Sequence, residues 1–168
     1  MSTGLLIARL ALGLVMAAHG SQKLFGWFGG YGIAGTGGFF ESVGFRPGRL
    51  LAVAAGVSET VGGLLIAAGL FGPIGPALVV SVMIVASSLH WNNGLFAMNN
   101  GIEVPLLYAS GAVALAFTGY GLYSLDAVFG LAGLWTPALI GTALALGIAG
   151  GVANLVLRRV PAQAPAAA

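Results

Sequence analysis

Five stretches of this chain, about Gly4 to Phe25, Leu50 to Gly72, Ile74 to Phe96, Val104 to Tyr120 and Leu134 to Leu157, are almost wholly apolar. Each is near the ~20 residues a helix needs to cross a bilayer. Hydrocarbon gives the backbone no hydrogen-bond partners, so such stretches must fold as helices and bury their small polar content among themselves. The 6% of charged residues points the same way, since soluble domains carry roughly 25%. The expected fold is all-α: an integral membrane helical bundle forming a single domain over residues 1–160, with a disordered Pro- and Ala-rich tail at 161–168.

The first stretch is read as a spanning helix rather than a secretory leader, because it lacks a basic start and has Arg9 inside its apolar part. Gly72, Pro73, Gly75 and Pro76 mark a very short turn, which makes the second and third helices an antiparallel hairpin. The fourth stretch is the shortest. There are 29 glycines, and Gly13/Ala17, Ala54/Ser58/Gly62 and Gly147/Gly151 recur at four-residue spacing. Small residues at that spacing let helix backbones approach in a membrane, either within the chain or between copies of it as a homo-oligomer.

The absence of cysteine excludes disulfides, thiolate metal sites and dithiol relays. A net charge of +2 from six scattered basic residues is no nucleic-acid footprint. Between Gly26 and Arg49 lies a long connection with Gly30, Gly32 and Gly35 in GxGxxG spacing. That fingerprint needs a strand before it and a helix after it in a parallel sheet, which nothing here supplies. Trp27, Phe28, Tyr31, Phe39 and Phe40 read instead as an interfacial aromatic belt, with a short helix around Phe39 to Phe45.

Glu59 stands inside the second apolar stretch in a chain with only four acidic residues, and a carboxyl at that depth needs a partner or a function. Helix geometry supplies company for it. His19 and His90 are each six residues before the loop-side end of their stretches, roughly 9 Å below that face at 1.5 Å per residue. Glu59, nine residues into its helix from the same face, is about 13 Å down. Lys23 follows His19 by one turn, and Glu103, Trp91, Asn92 and Asn93 lie near the same surface. One leaflet therefore collects most of the ionisable chemistry. The residues alone leave several uses open: a satisfied carboxyl tying helices together through Arg9, a proton-exchanging site of Glu59 with the two histidines, a His19/His90 haem site, or a His/Glu metal site. No characteristic spacing supports the last two, and no haem or metal is expected.

Arg9-Leu10, His19-Gly20 and Lys23-Leu24-Phe25-Gly26, then Glu59 with Gly62-Gly63, His90 with Asn93-Gly94, Glu103 with Pro105, and Tyr123 to Asp126 form an ordered series. In this series the chain resembles the DoxX family of small membrane proteins, over roughly Gly4 to Asp126. The resemblance implies a four-helix membrane core, here extended by a fifth C-terminal helix, in a multi-pass protein of a bacterial inner membrane. It also implies association with sulfur or oxidative-stress redox systems, including subunits similar to thiosulfate:quinone oxidoreductase. On that reading Glu59, His19 and His90 handle protons at a quinone head group, while Lys23, Glu103, Trp91 and Asn93 contact the ligand near the pocket mouth.

A second class of function fits the same chain: a non-catalytic membrane anchor that assembles soluble redox proteins on its aromatic loop. A transporter is disfavoured, since Arg9 alone makes no charged layer toward the far side. Lys23, Arg46, Arg49, Arg158 and Arg159 fall at one end of a five-span arrangement, which by the positive-inside rule puts the long loop and C-terminus in the cytoplasm.

Overall fold

Packing in this molecule is governed by glycine. In the computed structural model, which describes residues 2–159, α1 (Ser2–Phe25) and α3 (Gly48–Ala68) run antiparallel in near backbone contact. A Cβ on Gly13 would lie 2.5 Å from the Gly63 carbonyl oxygen, and one on Gly63 would lie 2.5 Å from the Ala17 nitrogen. Gly20 sits equally close to Gly56 and Thr60. Lipid tails give helices no hydrophobic reason to associate, so this close van der Waals fit is what holds the pair.

The remaining helices are α2 (Gly32–Ser42), α4 (Ile74–His90), α5 (Glu103–Thr118), the single turn α6 (Leu125–Val128) and α7 (Pro137–Val156). Among the described residues there is no strand. Among the described residues four helices are long and apolar enough to span: Ser2–Phe25, Gly48–Ala68, Ile74–Asn93 and Pro137–Val156. The fourth stretch of the sequence is shorter than the others. Helix α5 has 16 residues, about 24 Å against a hydrocarbon core of about 30 Å. Gly119, at φ 70° and ψ 179°, leaves the helical region and ends it. Residues 161–168, read from sequence as a tail, lie outside the described residues.

Helices α3 and α4 form the expected hairpin. Gly69 closes α3 in the left-handed conformation, with its N–H on the Ile66 carbonyl and Leu70 N–H on that of Leu65, a helix stop that favours glycine. Near this turn Gly62 packs against Gly75, Leu78 and Val79. Helix α7 lies along α4, with Gly147 over Ala77 and Gly151 over Ser81 and Ile84. The Gly13/Ala17 and Gly147/Gly151 stripes are thus used inside the chain. Met16, Ile66, Val79, Ala112, Leu115 and Leu144 belong to the central core, while leucines such as Leu64, Leu107 and Leu146 face outward, as a lipid-contacting surface requires.

A polar knot ties the turn end together. Asp126, only 2% exposed, accepts 2.8 Å hydrogen bonds from Phe71 N–H, Gly72 N–H and the Trp135 indole. Tyr120 donates to the Gly72 carbonyl at 2.7 Å. Burial, and then the nearby Asp126 charge, raise the Tyr120 phenol above its ordinary value, keeping it a neutral donor. Arg9, equally buried, donates to the Tyr123 carbonyl. The sequence suggested Arg9 as a partner for Glu59, but its position early in α1 commits it to this end.

At the opposite, loop end, α2 rests on the start of α3, and Glu41 accepts from Gly48 N–H at 3.0 Å. The expected short helix around Phe39 to Phe45 lies earlier, at Gly32–Ser42. Phe40 is not part of an interfacial belt. It is buried with Phe45 and Ala52 in a second small core, whereas Trp27, Phe28, Tyr31 and Phe39 are exposed. The end of α7 is clasped here: Arg158 donates to Val43 O at 2.7 Å and lies 5.1 Å over the Phe45 ring, and Arg159 N–H reaches Gly44 O.

Candidate functional site

Lys23 is two residues from the end of α1, and Glu59 lies in the middle of α3. The Gly20–Thr60 approach aligns these helices one turn away, so that Lys23 Nζ meets Glu59 Oε2 at 2.6 Å. The Glu59 side chain is 3% exposed and that of Lys23 25%. A carboxylate with so little water needs a hydrogen-bonded counter-charge. Lys23, read from sequence as a ligand contact at the pocket mouth, is that counter-charge.

Two cavities meet at this ion pair. The larger, about 690 Å³, opens where α3 and α4 have diverged from their hairpin turn. Leu51, Ala55 and Ser58 of α3 face Ser81, Val85 and Leu89 of α4 across it, and α2, Phe45 and Asn154 of α7 complete its wall. The smaller, about 280 Å³, lies between α1, α4, α5 and the turn at Ala97 to Gly101, with Met16, His19, Met83, Pro105 and Tyr108 on its wall. Lys23, Glu59, Ala86 and His90 line both.

The histidines are held from one side each. His90 Nδ1 pairs with the Asn100 carbonyl at 2.8 Å, so Nδ1 carries a proton. His19 Nδ1 meets Gln22 Oε1 at 3.1 Å, and Gln22 is fixed in that sense because its Nε2–H donates to Phe28 O. His19 also packs edge-on against Tyr108, with ring centroids 5.9 Å apart.

The structure thus brings His19, Lys23, Glu59 and His90 to one place, but it does not bring Trp91, Asn93 or Glu103 to either cavity wall. Trp91 is exposed. Asn93 Nδ2 donates to the Asn100 carbonyl at 3.2 Å, and Glu103 accepts from Ala97 N–H at 2.8 Å. These two shape the turn that roofs the smaller cavity. Asn100 itself sits in the left-handed conformation, φ 56°, which asparagine tolerates, and this presents its carbonyl to His90. Gln22, Tyr108 and Asn100 were not singled out in the sequence. Gln22 lies three residues after His19, hence on the same helical face, and Asn100-Gly101 is a turn signal. Among the described residues no three His, Asp or Glu groups gather as a metal site needs.

The DoxX family model matches residues 4–91, slightly more than half of the chain. The chain belongs to the DoxX family. The matched part runs from α1 through α4 and holds His19, Lys23, Glu59 and His90. It stops short of Asp126, to which the sequence resemblance extends. Neither the curated proteins nor the solved structures gave a match. This DoxX-family chain is a small multi-pass integral membrane protein whose apolar helices contact lipid.

Proposed function

We propose that the protein binds a quinone head group in the larger cavity and serves as a subunit of a membrane redox system. The observation that carries this reading is the Lys23–Glu59 ion pair on the wall of a largely apolar cavity of about 690 Å³, within the ~300–1,000 Å³ range of small-molecule sites. An amphipathic ring with polar oxygens suits such a wall. Reducing a quinone takes two electrons and two protons. A soluble electron donor at the loop end supplies the electrons, while Glu59 and His90 on the cavity wall supply protons directly or through one water, with His19 behind them on the smaller cavity. Arg46, Arg49, Arg158 and Arg159 support a cytoplasmic loop end, and membership of the DoxX family is what supports a bacterial inner membrane.

The test is quinone retention by the purified protein, measured by extraction, in Glu59→Gln and in the double variant Lys23→Met/Glu59→Gln. Removing one partner of a buried pair costs about 3–5 kcal/mol, whereas the double variant leaves only a neutral amide there, at about 1–3 kcal/mol, so it separates ligand loss from unfolding. The reading expects both to retain less than about a tenth of the quinone, the loss corresponding to about 1.4 kcal/mol of binding. Full retention by a folded double variant rejects it.

The exposed aromatics Trp27, Phe28 and Tyr31 favour a second reading, a non-catalytic anchor whose loop docks a soluble redox protein. Loop substitutions that release a copurifying partner, with Glu59→Gln silent, would decide for the anchor.

A further inference from the structure

The smaller cavity runs from the loop end into the bundle. Its roof, the turn from Ala97 to Asn100, is exposed at the loop end, and its walls carry His19, His90, Lys23 and Tyr108. Its inner end reaches Met16 and Met83, which are 0% and 6% exposed. Met16 is nine residues from the end of α1, about 14 Å below the loop end at 1.5 Å per residue. Both imidazoles spend Nδ1–H on an oxygen of the protein, which leaves Nε2 as the nitrogen that can take part in proton exchange. A cavity this deep and this rich in polar groups has both the room and the partners that water requires.

We propose that the smaller cavity is a water-filled proton vestibule, and that the Lys23–Glu59 pair is the partition between it and the ligand cavity. This rests on the quinone reading for what lies beyond the partition. A hydrated proton binds an imidazole Nε2 and passes to the Glu59 carboxylate as that carboxylate releases Lys23. From Glu59 it goes to the ligand oxygen, and the carboxylate then re-forms its link to Lys23. Imidazole and carboxylate each return to their starting state, and the electrons come from the soluble donor named above. His90, on the walls of both cavities, is the crossing point. Gln22 and Asn100 act as positioning residues that fix the imidazole tautomers.

The chain has no cysteine, so Met83→Cys places a sole thiol at the inner end of the vestibule. A charged methanethiosulfonate reagent reacts with the thiolate, which hydrocarbon suppresses. Met83→Cys should be modified at least about tenfold faster than Val152→Cys on the outer, exposed face of α7. Met16→Cys gives the same reading from α1 where Met83→Cys does not fold. Ala55→Cys, on the larger cavity alone, should be shielded by a short-chain quinone analogue that leaves Met83→Cys reactive. Labelling of Met83→Cys no faster than of Val152→Cys overturns the vestibule, even where Ala55→Cys is shielded. Shielding of both thiols also overturns it, because the cavities are then one. Fast labelling of Met83→Cys with Ala55→Cys unshielded keeps the vestibule and rejects the quinone.

Discussion

Gly20→Ala perturbs the contact on which the ion pair depends. A Cβ at Gly20 falls 2.5 Å from both the Gly56 carbonyl oxygen and the Thr60 nitrogen, and also against Thr60 Oγ1. Ordinary non-bonded contact begins at about 3.5 Å, so the shortfall is about 1 Å. Two of the opposing atoms are backbone and cannot rotate away, so α1 and α3 must part by about that distance. Over-packing of this kind costs about 1–3 kcal/mol. Alanine's better helix propensity returns up to ~1 kcal/mol, and set against that full return the net loss is up to about 2 kcal/mol. The same displacement stretches the 2.6 Å Lys23–Glu59 bond one turn away. Lys23 is the sole lysine, so acylation by a water-soluble ester, read by mass spectrometry at that residue, reports the pair directly. Its rate should rise several-fold, and the thermal transition in detergent, followed by circular dichroism, should fall. Gly141→Ala is the control: nothing lies within 4 Å of its Cβ, and it should be neutral or stabilising by up to ~1 kcal/mol. If Gly20→Ala melts with Gly141→Ala and leaves Lys23 acylation unchanged, the glycine approach does not set the pair.

Two further substitutions probe the ends of the bundle. Asp126→Ala removes three acceptor contacts from a buried site and should cost about 2–4 kcal/mol; because Trp27 and Trp91 are already exposed, a red shift in tryptophan emission would report release of Trp135. Arg158→Ala frees the end of α7 from Val43 and Phe45, a loss of about 1 kcal/mol; amide exchange should quicken in the last turn of α7 while the middle of α3 stays protected.

The spans were legible because lipid forces a simple rule on any long apolar run. The grouping of His19, Glu59 and His90 was also legible, since it needed only rise per residue and the order of the turns. The pairing of Lys23 was not, because depth says nothing of which face a side chain takes. That face is set by Gly20 meeting Gly56 and Thr60, a register that residue counting along one helix does not reveal. Asn93 and Glu103 were near the site in sequence, yet their side chains serve the backbone of the turn beside them. Arg9 looked available to Glu59 until the Tyr123 carbonyl, 114 residues on, took it up. Long-range partners of this kind are products of the assembled bundle and leave no local mark.

The knot at the hairpin turn has a mechanical consequence. Asp126 pins Phe71 and Gly72, so α3 and α4 share a fixed vertex, and glycine contacts join each to a neighbour, α1 and α7, as a stiff plank. A plank the length of α3, 21 residues, is about 31 Å long. Turning it by about 3° about the vertex carries its far tip about 1.6 Å. The larger cavity lies toward that tip, as the opening of a pair of tongs. The arms are tied again near that tip, where Arg158 holds Val43 and lies over Phe45, so the cavity is framed by two rigid arms joined at both ends.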